Sequence, residues 1–194
     1  MPVGVTDSQG ARSTYALSKI GGESAVTHYA DAYGFEAVIV RYHNVYGPRM
    51  GFDHVIPELM ERALNEVDPF PVYGLEQTRA FCYVTDAVDA SLALMNCRLD
   101  QCELVHVGND NEIRISELLE KVLGGTGFQP AIQALPAAAS SVSRRCPDIG
   151  KLRRLTGFSP MVSIQEGLAL TWDWYRQNRR PNVESGFVAS GPLE

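Results

Sequence analysis

The segment at residues 13–19 contains two side chains whose types and spacing could carry out proton transfer. Tyr15 and Lys19 are four residues apart, so on an α-helix they lie one above the other on the same face. An ammonium group held a few ångströms from a phenol favours the phenolate, and a phenolate can accept a proton from a substrate hydroxyl. The same spacing also occurs where an aromatic ring simply packs beside a lysine side chain. The pair alone therefore leaves both interpretations open.

The hydrophobic pattern that follows this pair predicts an α/β fold. We expect a helix over residues 14–33 that ends at Gly34, because glycine readily adopts the left-handed conformation that closes a helix. The run at residues 35–42 is apolar and rich in β-branched residues, which is typical of a strand buried on both faces. A helix followed directly by a buried strand indicates α/β organisation.

The later elements are predicted from short apolar runs bounded by turn or capping residues. They are a helix at 55–64, a hairpin of strands 70–73 and 80–84, a helix capped by Thr85 and Asp86 that ends near Cys97, a strand at 104–108, a helix from Ser116 that stops at Gly124 and Gly125, a connecting segment at 130–143, and a last helix opened by a capping box at 163–166 and ending near residue 180.

The composition favours an ordinary soluble globular chain. The 194 residues carry a formal net charge of -6, which argues against a nucleic acid or an anionic membrane surface as the main partner. The sequence contains neither a secretion-like start nor a run of about 18 apolar residues. The four cysteines have no C-x-x-C spacing and no histidines at zinc-finger spacing, so we expect free thiols, no metal site and a cytoplasmic location.

Two arginines and one histidine are further candidates for a site. Arg49 and Arg79 each stand beside a strand end after a turn-like segment, which suits a guanidinium group that binds phosphate bidentately. A plain surface arginine fits the same pattern. His43 follows the predicted buried strand, where α/β proteins build their sites. The glycine-rich segment at 124–127 closes a helix instead of following a strand, so we do not assign it to phosphate binding.

Several short motifs follow one another along nearly the whole chain: YALSK at 15–19, RYHNVYGPR at 41–49, VYG at 72–74, QTRAFCYV at 77–84, VGN at 107–109, RCPDI at 145–149 and EGL at 166–168. Together they resemble the extended short-chain dehydrogenase/reductase family, which comprises NAD-dependent nucleotide-sugar epimerases, dehydratases and decarboxylases. The resemblance implies a partial Rossmann-like fold, with the C-terminal part of the parallel sheet, its helices and a small substrate-binding domain. Residues 1–50 would be a remnant of the dinucleotide-binding domain, 51–181 would combine the substrate-binding region with the last Rossmann elements, and 182–194 would be a flexible tail.

The resemblance also implies a role for each matching residue. Tyr15 would act as general base or acid on a sugar hydroxyl, and Lys19 would assist it and bind the nicotinamide ribose. The implied binding residues are Tyr42 and Val45 at the nicotinamide end of NAD, Asn44 and Arg49 near the substrate phosphates, Arg79 as the main diphosphate clamp, Val55 and Tyr73 beside the nucleotide base, and Arg145 in the stretch that closes over the sugar nucleotide. The implied reaction is transient oxidation of a sugar hydroxyl, and the resulting ketone permits epimerisation, elimination or decarboxylation.

The sequence departs from the family pattern ahead of Tyr15. It lacks the glycine-rich strand-turn-helix that holds the pyrophosphate, the acidic residue for the adenosine ribose and the Ser or Thr of the catalytic triad. We therefore expect weak NAD binding or none. The strand around residues 38–41 also needs neighbours on both edges. We expect the chain to dock on an N-terminal Rossmann half, to dimerise through the Tyr15 helix and the open sheet edge, or to have rearranged.

Three functions remain open at this point. The chain could be one half of a nucleotide-sugar epimerase or dehydratase, active only with an N-terminal half. It could be a binding module that keeps affinity for nucleotide sugars through Asn44 and Arg79. It could also be a cofactor-independent enzyme that uses Tyr15 for acid/base chemistry.

Overall fold

A computed structural model of the protein describes residues 11–99, 101–137 and 141–179. The helices are α1 (Ala11–Tyr33), α2 (Val55–Leu64), α3 (Val84–Asn96), α4 (Ile115–Thr126), α5 (Gly150–Thr156) and α6 (Ile164–Gln177). The strands are β1 (Ala37–Tyr42), β2 (Val45–Tyr46), β3 (Phe70–Tyr73), β4 (Thr78–Ala80), β5 (Cys82–Tyr83), β6 (Cys102–Val107), β7 (Glu112–Arg114), β8 (Ile132–Leu135) and β9 (Arg144–Arg145).

Most of the strand pairs are parallel, which confirms the predicted α/β class. β1 pairs with β6, β2 with β5 and β3 with β8, each in parallel. β4 lies between β7, which runs antiparallel to it, and β9, which runs parallel. Parallel partners require crossover connections, and the intervening helices provide them.

The β1–β6 pair forms one layer of the protein with helices packed against it. Val38 and Val40 of β1 pack into a hydrophobic cluster with residues of α3, α5 and β6. Arg41, which alternates with them along the strand, donates two hydrogen bonds to the carboxylate of Glu23 on α1. The prediction that this strand is buried on both faces is wrong, because residues 37–41 are only half-buried and Tyr42 is exposed. In the described part of the chain, β6 is the only strand that pairs with β1.

A second hydrophobic cluster joins α2, α4 and α6 around β3. Phe70 and Val72 of β3 are fully buried in it, together with Leu118 of α4 and Tyr175 of α6. Segments from both clusters alternate along the chain, so neither cluster is a continuous piece of sequence. The domain boundaries at residues 50 and 181 stay a prediction. The predicted flexible tail at 182–194 lies outside the described residues.

The predicted hairpin of 70–73 and 80–84 is wrong. β3 pairs with β8, whereas the predicted strand 80–84 falls on the end of β4, which pairs with β7 and β9, and on β5, which pairs with β2. Pro71 in the middle of β3 has no N–H to donate, which restricts the strand to pairing through one edge. The partner strand β8 lies inside the stretch that we expected to be only a connecting segment, so that prediction is also wrong.

Three helix ends show which capping signals are reliable. Gly34 has φ 69° and its N–H donates to the carbonyl of Ala30 at 2.8 Å, which confirms the predicted end of α1. Ser163 is the N-cap of α6 and accepts a hydrogen bond from the N–H of Glu166 at 3.2 Å, as the capping box predicts. α4 continues through Gly124 and Gly125 to Thr126, and Gly127 caps it with φ 73°. The predicted end of this helix was therefore too early.

Asp86 has a tertiary role instead of the predicted capping role. Tyr83 is the N-cap of α3, and Asp86 lies in the first turn of the helix. Its carboxylate is 2% exposed and accepts hydrogen bonds from the N–H groups of Met161 and Val162 at 3.1 and 3.0 Å. The cap prediction was therefore wrong because the side chain binds distant backbone that leads into α6. α5 and β7 were not predicted at all.

Within the described ranges, no helix has the length and apolar character that crossing a membrane requires.

Candidate active site

A cavity of about 720 Å³ lies where the N-terminal part of α1, the turn between β1 and β2, α2 and the β4 region meet. It collects eight of the residues that the sequence singled out: Tyr15, Tyr42, Asn44, Val45, Val55, Tyr73, Arg79 and Arg145. The remaining candidates, Lys19, His43 and Arg49, do not line the cavity. Residues from distant parts of the chain thus converge on one concave surface.

Tyr15 and Lys19 lie together on α1, as their spacing predicts. The Nζ atom of Lys19 is 5.3 Å from the centroid of the Tyr15 ring, within the range of a cation–π contact. The Tyr15 side chain is 67% exposed and borders the cavity. A phenol in this position is open to a ligand in the cavity, while its neighbouring ammonium group stands outside it.

The turn between β1 and β2 is fixed by Asn44. This residue has φ 41°, a left-handed conformation that asparagine tolerates better than most residues. Its side-chain Nδ2 donates to the carbonyl of Ala80 at 2.9 Å, and its own carbonyl accepts from the N–H of Cys82 at 3.1 Å. Val45 follows directly and pairs with Cys82. The Asn44 amide therefore serves the fold as well as facing the cavity.

Arg79 and Arg145 stand side by side on neighbouring strands. They are register partners in the parallel β4–β9 ladder, and both line the cavity. Burial, followed by the proximity of Arg145, lowers the pKa of Arg79 from its ordinary value. Within the described residues, neither guanidinium forms an ion pair with a carboxylate. Two adjacent cations on a cavity wall form an arrangement that suits an anion with more than one charge.

α2 and β3 form another wall of the cavity. Val55 and Tyr73 contribute apolar and aromatic surface. Arg62 and Glu58, one helical turn apart on α2, form an ion pair at 2.9 Å and also line this wall. Sequence reasoning missed this pair, although its spacing places it on the same helix face as Val55.

Arg49 lies apart from the other candidates. It has φ 65°, its side chain is exposed, and it does not reach the cavity wall. Its substrate-binding role stays a prediction to which the geometry adds no support.

Two histidines form a pair beside the cavity. His43 follows β1, and its Nε2 is 2.7 Å from Nδ1 of His106 on β6. Burial is the main cause that lowers the pKa of both imidazoles, and the charge of Arg41 lowers both pKa values further. The described residues contain no group of three or more His, Cys, Asp or Glu side chains that could hold a metal ion. The hydrogen bond between the two imidazoles links the end of β1 to β6.

The chain belongs to the NAD dependent epimerase/dehydratase family, whose model matches residues 4–108. A UDP-N-acetyl-alpha-D-glucosaminuronate decarboxylase of Bacillus cytotoxicus is 34% identical over 176 residues, which cover 86% of this chain and 54% of the decarboxylase. The chain spans about half the length of the curated relatives that it matches.

Solved structures of Rossmann-fold epimerases share the fold. The UDP-glucose 4-epimerase of Thermotoga maritima, solved with UDP-glucose, has a TM-score of 0.76 and 28% identity, covering 84% of this chain and 53% of the epimerase. The UDP-glucuronic acid 4-epimerase of Bacillus cereus, solved with UDP-glucuronic acid and NAD, has a TM-score of 0.77 and 25% identity, covering 84% of this chain and 52% of that enzyme. The predicted membership of the extended short-chain dehydrogenase/reductase family and the partial Rossmann-like fold are therefore confirmed.

The histidine pair predicts a specific dependence of stability on pH. Because the folded state lowers the pKa of His43 and His106, the unfolded chain binds protons first as the pH falls. The free energy of unfolding should be constant above the ordinary histidine value of about 6.5 and should decrease below it. Urea unfolding of wild type and His106→Asn between about pH 7.5 and pH 5.5 should show a shallower decrease in the variant.

His28, which is exposed on α1, provides the matched control, since His28→Asn should leave the pH dependence as it is in wild type. Equal slopes for all three proteins would contradict the assignment.

Proposed function

We propose that this chain is the substrate-binding and catalytic portion of an NAD-dependent nucleotide-sugar enzyme that acts by transient oxidation of a sugar hydroxyl. The observation that carries the proposal is the pair Arg79 and Arg145, side by side on the wall of a cavity that Tyr15 also borders. A volume of about 720 Å³ is in the range of small-molecule sites. The site thus offers a phosphate-binding group and a proton acceptor to one ligand.

The two arginines would bind the diphosphate of a nucleotide sugar. A guanidinium group forms two parallel charge-assisted hydrogen bonds to phosphate oxygens, and two such groups match the charges of a diphosphate. Asn44 adds an amide to the same cavity. Val55 and Tyr73 supply apolar and aromatic surface on which the nucleotide base would pack. UDP-sugars are the substrates that this proposal favours, because the two solved relatives described above bind them.

Tyr15 would move the proton in the proposed reaction. Its phenolic oxygen would accept the proton of the sugar hydroxyl, with the Lys19 ammonium group 5.3 Å from the ring centroid. Tyr42 and Val45, which line the cavity with Tyr15, would hold the nicotinamide end of NAD, and Lys19 would bind its ribose. Bound NAD supplies the hydride acceptor. These residues fit the nicotinamide end of the cofactor only, so tight NAD binding would need further contacts to the pyrophosphate.

An N-terminal Rossmann half could supply those contacts by docking at β1. An unpaired strand edge is a template for further strands, and β1 is half-buried beside its single described neighbour β6. A homodimer through α1 is the other arrangement, since Leu17 and Ile20 are exposed and Ala30 is the only buried residue among the described side chains of α1. The four free cysteines support a cytoplasmic location as part of the same proposal.

Removing either clamp arginine should weaken nucleoside diphosphate binding. By isothermal titration calorimetry with UDP, Arg79→Ala and Arg145→Ala should each lose about tenfold to a hundredfold in affinity, because each loses charge-assisted hydrogen bonds to phosphate. Arg144→Ala is the matched control, since Arg144 is adjacent in sequence but pairs with Glu112 at 2.8 Å. Unchanged UDP affinity in Arg79→Ala would overturn the clamp.

Removing the phenol of Tyr15 should abolish the chemical step without abolishing binding. We suggest a chimera in which the first half of the Bacillus cytotoxicus decarboxylase precedes this chain, assayed with NAD and a panel of UDP- and GDP-sugars. Tyr15→Phe should reduce turnover by about a hundredfold or more, which is the usual contribution of a general base. Tyr29→Phe is the control, because Tyr29 is exposed on the same helix and does not line the cavity.

Other outcomes of this experiment would favour the two remaining functions. Turnover without NAD that is lost in Tyr15→Phe would indicate a cofactor-independent acid/base enzyme. Binding of nucleotide sugars with no turnover in the chimera or in the chain alone would indicate a binding module.

A further inference from the structure

Arg79 differs from the other paired cations of the described chain in the kind of partner it has. Six other arginine and lysine side chains pair with carboxylates: Arg41 with Glu23, Arg62 with Glu58, Arg144 with Glu112, Lys151 with Glu103, Arg153 with Asp110 and Arg176 with Asp173. Among the described residues, Arg79 instead donates only to neutral oxygens. The fold therefore orients this guanidinium without neutralising its charge.

Gln77 is the centre of the hydrogen bonds around Arg79. Its Oε1 accepts from one terminal nitrogen of Arg79 at 2.8 Å and from Oγ of Ser141 at 3.0 Å. The same arginine nitrogen is 3.3 Å from Oγ of Ser141, which closes a triangle. The other terminal nitrogen donates to the carbonyl groups of Thr78 and Ser143 at 2.7 and 3.2 Å. Gln77 and Ser141 themselves line the cavity.

The backbone holds Gln77 in this position. Its N–H donates to the carbonyl of Gly74 at 2.9 Å, and its carbonyl accepts from the N–H of Ile115 at 2.9 Å. A Cβ atom at Gly74, which has φ 63°, would come within 3.0 Å of the Gln77 side-chain carbon Cδ. The Gln77 amide therefore sits in a site built by the turn at 74–77 and the start of α4.

The same triangle connects the two clamp arginines. Ser141 begins the described segment that leads into β9, and Arg145 is on β9. Thr78 ties this segment to β4 through its N–H, which donates to the carbonyl of Ser143 at 2.9 Å. By binding Ser141 and Arg79 at once, the Gln77 oxygen fixes the segment that carries Arg145 against the strand that carries Arg79.

We propose that Gln77 is a positioning residue for anion binding, whose neutral oxygen orients Arg79 and anchors the Arg145 segment while it leaves the charge of both arginines available to a diphosphate. This inference rests on the proposed function of the cavity. A carboxylate in place of the amide would accept the same hydrogen bonds and would also form an ion pair with Arg79, which would compete with the bound anion. The neutral Gln77 amide orients Arg79 without competing with the anion for its charge.

The order of affinities among Gln77 variants distinguishes this role from a purely structural one. If Gln77 were needed only as an acceptor, Gln77→Glu would keep UDP affinity and Gln77→Met would lose it. We expect the reverse order by isothermal titration calorimetry with UDP. Gln77→Glu should bind about tenfold or more weakly because of charge competition, and Gln77→Met about threefold more weakly because orientation is lost. Thermal unfolding should show that Gln77→Glu is folded.

A control variant and the following results complete the test. Glu103→Gln, which changes the partner of Lys151 and does not line the cavity, is the control and should bind UDP as wild type does. Wild-type affinity in Gln77→Glu would overturn the inference while leaving the clamp intact, whereas no UDP binding by wild type would overturn the proposed function and the inference together.

If Gln77→Glu does not fold, Ser141→Asp provides the same test because it places a carboxylate beside the same nitrogen of Arg79. Its affinity for UDP should be about tenfold lower than that of Ser141→Ala. Equal affinities of these two variants would also overturn the inference.

Discussion

The placement of two like charges side by side is the constraint on which the cavity depends. Arg79 and Arg145 are register partners on β4 and β9, and partial burial disfavours the charge of Arg79. Such an arrangement is unfavourable until an anion is bound, so the surrounding structure must impose it. The three-stranded ladder of β7, β4 and β9, together with the hydrogen bonds that the Gln77 oxygen accepts from Arg79 and Ser141, provides this restraint.

The same cavity joins elements that belong to different layers of the fold. α1 and the turn after β1 come from the layer built on the β1–β6 pair, and they contribute Tyr15 and Asn44. α2 and β3 pack around the second hydrophobic cluster and contribute Val55 and Tyr73, and β4 contributes Arg79. Asn44 donates a hydrogen bond to the carbonyl of Ala80 on β4, which ties the turn after β1 to the strand that carries Arg79. In the proposed function, the packing of these elements would position the proton acceptor Tyr15 relative to the phosphate-binding Arg79.

Local signals in the sequence predicted local structure, and long-range pairing was not predictable from them. The four-residue spacing of Tyr15 and Lys19, the cap at Gly34 and the capping box at Ser163 all act within one or two helical turns. The hairpin prediction failed because the partner of β3 lies about sixty residues further along the chain, in β8. For the same reason Gln77 was missed, since its partner Ser141 is 64 residues away. The motifs that resemble the family contain eight residues that line one cavity, and their spacing alone would not have shown that they lie together.

A crystal structure of the chain grown with UDP would show whether the two arginines bind one diphosphate. We expect diphosphate oxygens within hydrogen-bond distance, about 3 Å, of the guanidinium groups of both Arg79 and Arg145. We also expect that the Gln77 side chain still accepts from Arg79 and that the base lies beside Val55 and Tyr73. A diphosphate bound away from both arginines, with the cavity filled by solvent, would contradict the proposed binding of phosphate by this pair.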